Sequence, residues 1–325
     1  MPSRRSESCF RLGELTIDVT ADDAAVVAGI ERRFRPLQVT LEDEPDIRFD
    51  IQGPGVPSSQ VCAPAGEGRR IYDAPRAGID YFEELDEVFV DYDGALRVRC
   101  QPARGRVDIA IDDEEAGRVL AVNPFFTIPL LELAKRRALY SLHAACVADN
   151  GRGLLVAGAS GAGKTTLAIA LARAGLTFLT DDMVFLSIHD DTIAVLALPD
   201  EIDVTDSTVD MFPELGSLRG ATLPPGRPKH SVRLEHLLAV DTALRCTPKA
   251  VVVCDIGVDD ATVVEPMSGA SALVALAPNV LLTEASSSQA HLDALATLVR
   301  AVPCYRVRTG RNVAAAAALL RQLIG

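Results

Sequence analysis

Residues Gly158, Ala159, Ser160, Gly161, Ala162, Gly163, Lys164 and Thr165 satisfy the pattern GxxxxGK[ST] in full, a spacing that serves the binding of phosphate. Gly158, Gly161 and Gly163 allow backbone angles that a Cβ forbids, so several N–H groups can converge on phosphate oxygens. A helix beginning at Lys164 adds the partial positive charge of its N-terminus. The Lys164 ammonium suits the β- and γ-phosphates and the Thr165 hydroxyl suits Mg²⁺. Thr166 completes the expected nucleotide-binding set. An apolar run at residues 154–157 precedes the loop, and a helical run ended by Gly175 follows it. That strand–loop–helix context is the one the pattern requires. The expected ligands are ATP and Mg²⁺.

Such a loop needs an acidic partner for its metal, commonly an Asp at the end of a neighbouring strand. Two candidates compete. Asp255 ends the apolar run VVVCD, whereas Asp181 and Asp182 end FLT only 17 and 18 residues beyond Lys164. The adjacent pair is preferred, because two carboxylates set between apolar runs are costly unless they face a metal or solvent. They also offer two tasks, one at the metal and one at an acceptor hydroxyl. His143 lies 21 residues before Lys164 on an apolar strand, as either a core residue or a hydrogen-bonding partner of the reacting groups. Arg227, Lys229 and His230 form a basic loop, either suited to phosphate or peptide or simply solvated, and Glu201 is a candidate support for the metal.

The elements that must place these residues divide the chain into two expected domains, 1–125 and 126–325. In the first, FRLGELTIDVT and DIRFDIQG alternate as half-buried strands do. DDAAVVAGIERRF between them has the charge order of a helix. EVFVDYDGALRVRC carries a DG hairpin signal, and GRVDIAIDD is a further strand. The acidic cluster Glu83, Glu84, Asp86 and Glu87 is expected to be a solvated face. This N-terminal part is an accessory α+β domain whose candidate role is substrate recognition. A helix is expected from Pro129 to Tyr140. Beyond it, short apolar strands alternate with helices, which predicts an α/β domain with a parallel or mixed sheet. MVFLSI and IAVLALP form a hairpin, KAVVVCDIG is a buried strand, and an Ala-rich helix closes the chain.

Composition narrows the function classes. With 325 residues, 48% hydrophobic and 24% charged, the chain can bury a substantial core. A net charge of −13 argues against nucleic acid as partner. No run approaches the ~20 apolar residues of a membrane span, and the first residues lack the apolar stretch of a signal peptide, so the expected location is cytoplasmic. Seven scattered cysteines, none spaced as CxxC, read as reduced thiols, most of them buried. A homo-oligomer is compatible with all of this.

The run LHAACVADNGRGLLVAGASGAGKTTLAIALARAGLTFLTDDMV resembles the catalytic domain of the bacterial HPr serine kinase/phosphorylase family and its kinase-like relatives. It shares the order of His on a strand, glycine-rich loop, helix ending in Gly and short strand ending in Asp-Asp. CYRVRTGRNVA, around Arg311 and Asn312, is a shorter echo. The resemblance implies a P-loop kinase domain with a mixed sheet. It implies phosphorylation of a serine or similar hydroxyl on a protein or peptide, either an HPr-like protein or a ribosomal peptide precursor. LPDEIDVTDSTVDMFPELG stands where the family carries a glycine-rich segment, which moves the expectation away from HPr itself. By resemblance Asp181 takes the acceptor proton and Asp182 joins Thr165 at Mg²⁺; the spacing alone leaves the pair exchangeable. The alternatives are a small-molecule alcohol kinase, and a P-loop ATPase that uses Asp255.

Overall fold

A computed structural model describes residues 5–53, 61–74, 77–112, 121–190, 192–221, 223, 229–257, 259 and 261–325. The chain is α/β with mixed sheets, and it divides into two compact units. One is Met1–Leu139 with Leu281–His291; the other is Tyr140–Val280 with Leu292–Gly325. The sequence places this boundary at 125, but packing carries it further. Phe126 stacks on Phe49 with ring centroids 4.2 Å apart and leans on Phe34, so the helix Thr127–Lys135 belongs to the first unit.

In the N-terminal unit, β1 (Ser6–Leu12), β2 (Leu15–Ala21), β3 (Gln38–Val39), β4 (Ile47–Gln52), β5 (Arg69–Ala74), β6 (Ala77–Phe82), β7 (Glu87–Tyr92), β8 (Leu96–Gln101) and β9 (Arg106–Ile111) form one sheet. Their order is β3-β1-β2-β4-β9-β8-β7-β6-β5. FRLGELTIDVT is a hairpin and not a single strand, because Gly13 takes the left-handed conformation (φ 63°) and folds β2 back on β1. The helix Ala24–Phe34 is capped by the Asp23 carboxylate on Ala25 N (2.8 Å) and buries Val26, Val27, Ile30 and Phe34.

The helix expected to reach Tyr140 stops at Lys135, and Ala138 (φ 56°) turns the chain into the strand that starts at Leu139. The acidic cluster also departs from its expected role. Glu83 and Glu84 are exposed, but Glu87 is buried between Arg99 (2.7 Å) and Gln101 (2.9 Å), and Asp86 pairs with Arg136. Beneath it lies a buried polar network. Lys135 Nζ donates to Glu132 (2.9 Å) and to Thr283 Oγ1 (2.5 Å), and Thr283 donates to the other Glu132 oxygen (2.9 Å). Arg136 pairs with Glu284 (3.1 Å). These bonds hold residues 281–291 to the N-terminal unit. Lys135→Met leaves the Glu132 charge buried without its cation, and calorimetry is expected to show a loss of about 3–5 kcal/mol. Glu132→Gln combined with Lys135→Met is expected to recover most of it; a single variant as stable as the parent contradicts this account.

In the C-terminal unit, β10 (Leu139–Asp149) runs antiparallel to β11 (Arg152–Ala157), and β12 (Thr177–Thr180) lies along the opposite edge of the same part of β10. β13 (Met183–His189) and β14 (Thr192–Ala197) form the expected hairpin. β15 (Ile202–Val204) pairs with β16 (His230–Val232) in a separate ribbon. β17 (Arg245–Ile256) runs parallel to β11 and to β19 (Cys304–Thr309), whose far edge takes antiparallel β18 (Val263–Met267). Alternate residues of the buried strands face opposite cores. Leu154, Val156 and Val252 meet the helices Lys164–Arg173 and Val313–Arg321. Leu155, Ala157 and Val251 meet Gly269–Leu276 and the later part of Ala285–Ala301. The continuous apolar run of β11 follows from this two-sided burial.

All seven cysteines are free thiols, five of them buried. No helix among the described residues is long and apolar enough to cross a membrane.

Candidate functional site

The glycine-rich loop 158–163 connects β11 to the helix Lys164–Arg173. Gly158, Gly161 and Gly163 all take positive φ (155°, 80° and 89°), which explains why glycine occupies each. Gly158 is doubly constrained, since a Cβ there would stand 2.6 Å from the Cys254 carbonyl oxygen on β17. Gly158→Ala is expected to destabilise the fold by about 1–3 kcal/mol through backbone strain, read by thermal unfolding; parent-like stability contradicts it. Lys164 curls into the loop and donates to the carbonyls of Gly158 (2.9 Å) and Ala159 (3.2 Å). Burial pushes its pKa down from the ordinary lysine range, against the pull of Cys254, Asp182 and Asp181. Thr166 Oγ1 lies 3.1 Å from Thr208 Oγ1.

The helix covers ten residues, roughly 15 Å. It ends in a Schellman turn, with Gly175 at φ 92° and Leu176 N donating to Leu171 O (3.2 Å). The four residues of β12 then return about 13 Å. Matching lengths bring Asp181 back to the helix N-terminus, where it accepts a hydrogen bond from Thr165 Oγ1 at 2.7 Å. Asp181 is buried, and burial pushes its pKa up to about 7; the Thr165 hydrogen bond opposes this, and the charges of Asp182, Asp200 and Asp203 add to it.

Asp182 has a different setting. Its side chain is 47% exposed and stands 3.4 Å from Nδ1 of His143, itself 42% exposed on β10. Burial lowers the His143 pKa below the ordinary imidazole range; Asp182 raises it, and the positive charges of Lys164 and Lys229 lower it further. The structure therefore brings together the phosphate loop, Asp181, Asp182, His143 and the field of Lys229.

Other candidates fall elsewhere. His230 is buried, with Nε2 3.1 Å from the Asp206 carboxylate, so it braces a helix start and does not belong to an open basic loop. Arg227 lies outside the described residues. Glu201 lies between Asp200 and Asp203, whose charges both help raise the Asp181 pKa. Their only signal in the sequence was the acidic run after the hairpin. Asp255 is exposed at the end of β17, and the Thr165 hydroxyl is committed to Asp181.

The donors around Thr165 fit a hard cation. A hydroxyl and a buried carboxylate give oxygen ligands only, and the neighbouring charges that raise Asp181 are all negative. Among the described residues no three His, Cys, Asp or Glu side chains make a metal cluster. A Mg²⁺ here would need phosphate oxygens and water to complete its shell, its common habit at nucleotide sites.

No family model matches the chain, and no curated protein does. Among solved structures it is similar to the Hpr(Ser) kinase/phosphatase from Coxiella burnetii. The identity is 12%, the alignment covers 56% of this chain and 94% of that one, and the TM-score is 0.31. A superposition that loose carries no argument about function.

Proposed function

We propose that the C-terminal unit binds ATP with Mg²⁺ at residues 158–166 and transfers the γ-phosphoryl group to a hydroxyl, with a serine on a protein or peptide as the leading acceptor. The observation that carries this reading is the unequal setting of two adjacent carboxylates. Asp181 is buried on the Thr165 hydroxyl at 2.7 Å, while Asp182 is half exposed beside His143 at 3.4 Å. That geometry favours the reverse of the roles implied by resemblance: Asp181 with Thr165 on the metal side, Asp182 on the acceptor side.

Phosphoryl transfer asks the protein for in-line positioning and charge neutralisation. The loop amides and Lys164 hold the phosphates. Asp182 orients the acceptor hydroxyl and takes its proton late, and His143 beside it fixes the carboxylate's direction. Thr165 and Asp181 would hold Mg²⁺, which would supply neutralisation of phosphate charge during transfer. Asp182 is open enough to meet a macromolecular acceptor, and the reading requires a compartment that holds ATP, such as the cytoplasm.

Incubation with γ-labelled ATP, Mg²⁺ and parallel pools of serine-containing peptides, small alcohols and water tests the assignment. Label on serine is the expected result. Label on a small alcohol reassigns the acceptor, and release to water alone sinks the transferase reading.

A further inference from the structure

We propose that the ledge made by Ile256, Gly257 and the turn at Thr309–Gly310 receives the base and ribose of the nucleotide. The inference rests on the phosphate-loop reading above and extends it to the other end of the ligand.

β10, which carries His143, and beyond it β12, which ends just before Asp181 and Asp182, lie on one side of β11; β17 and then β19 lie on the other. A triphosphate whose γ-group must lie beside Asp181 and Asp182 runs across the loop away from β12. Its nucleoside then emerges over the ends of β17 and β19. Both strands are parallel to β11, so their C-terminal ends share the edge from which the loop rises, the edge at which open α/β sheets bind ligands.

What stands there is suited to an aromatic base. Val251, Val252 and Cys254 of β17 are buried, yet Ile256 at its end is 67% exposed. Its Cγ1 would lie 3.8 Å from a Cβ built on Gly163, so this exposed apolar side chain borders the phosphate loop itself. The ground around it is fixed. Gly257 N donates to Thr309 O (2.9 Å), Gly310 N donates to Thr262 Oγ1 (3.1 Å), and the Asn312 side chain caps the helix Val313–Arg321 by accepting from Ala315 N (3.0 Å). A Cβ on Gly257 would crowd Thr309 O at 3.2 Å, which favours glycine there. The result is a hydrogen-bonded shelf with one apolar contact beside the loop. Isolated exposed isoleucines are common and need no explanation; this one is distinguished by its place at the loop.

Titration calorimetry on the full chain with Mg²⁺ separates the two ends of the ligand, using ATP and inorganic tripolyphosphate as probes. Ile256→Ser is expected to weaken ATP about tenfold by removing apolar contact with the base, and to leave tripolyphosphate unchanged. Ile256→Leu should retain ATP affinity. Equal weakening of both probes, or no weakening of ATP, overturns the ledge. Lys164→Ala is expected to weaken both probes. If it weakens neither, or if the parent chain binds neither, the phosphate-loop reading has failed and the ledge falls with it.

Discussion

Asp182→Asn is expected to lower phosphoryl transfer by about 10²- to 10⁴-fold, the range that removal of a general base commonly costs, while ATP binding stays near that of the parent. The asparagine keeps the shape and loses the charge that would take the acceptor proton. Because Asp182 is half exposed and carries no hydrogen bond from Thr165, little of the fold depends on it. The signature is a fall in kcat with KM for ATP unchanged. Parent-like kcat in Asp182→Asn would remove this residue from the acceptor side.

Asp181→Asn is expected to do something its neighbour does not, which is to stabilise the ligand-free protein above neutral pH. Burial raises the Asp181 pKa from 3.8 to about 7, so the folded state prefers the protonated carboxyl. For a group raised in this way, the stabilising contribution is complete below pH 3.8 and disappears as pH rises toward 7. At pH 8 the folded chain therefore holds an ionised, desolvated carboxylate at a cost of about 2–4 kcal/mol. The asparagine has no such cost. Thermal unfolding of parent and variant without nucleotide should agree near pH 4 and diverge in the variant's favour by pH 8. A variant less stable than the parent at pH 8 contradicts the burial argument. On the proposed reading, the same substitution should also reduce transfer sharply, by removing a buried oxygen ligand from the proposed Mg²⁺ site.

Much of the site was legible because it is local in sequence. The phosphate loop is eight contiguous residues, and the Asp pair follows after one helix and one strand of nearly equal length. Lengths alone thus returned Asp181 to Thr165. Roles within the pair were not legible, because burial and exposure of adjacent residues depend on β10 and the loop around them. Asp200 and Asp203 act on Asp181 from beyond an intervening hairpin, a placement that no local pattern encodes. His230 was misread for a similar reason: its partner, Asp206, lies across a two-stranded ribbon.

The fold shows the same division. Binary pattern and the DG signal located the β7–β8 hairpin, but alternation could not reveal that Gly13 breaks FRLGELTIDVT into two strands. The unit boundary depended on Phe126 over Phe49, and on Lys135 and Glu132 meeting Thr283 nearly 150 residues later. Contacts of that range leave no periodic trace in sequence.

On the proposed reading, Thr165 and Asp181 hold Mg²⁺ at the glycine-rich loop. ATP affinity measured by calorimetry with and without Mg²⁺, for the parent, Asp181→Asn and Asp255→Asn, tests it most directly. The prediction is that Mg²⁺ tightens ATP binding in the parent and in Asp255→Asn, and does not in Asp181→Asn. Mg²⁺ dependence that survives in Asp181→Asn and vanishes in Asp255→Asn would contradict the account and restore the ATPase alternative.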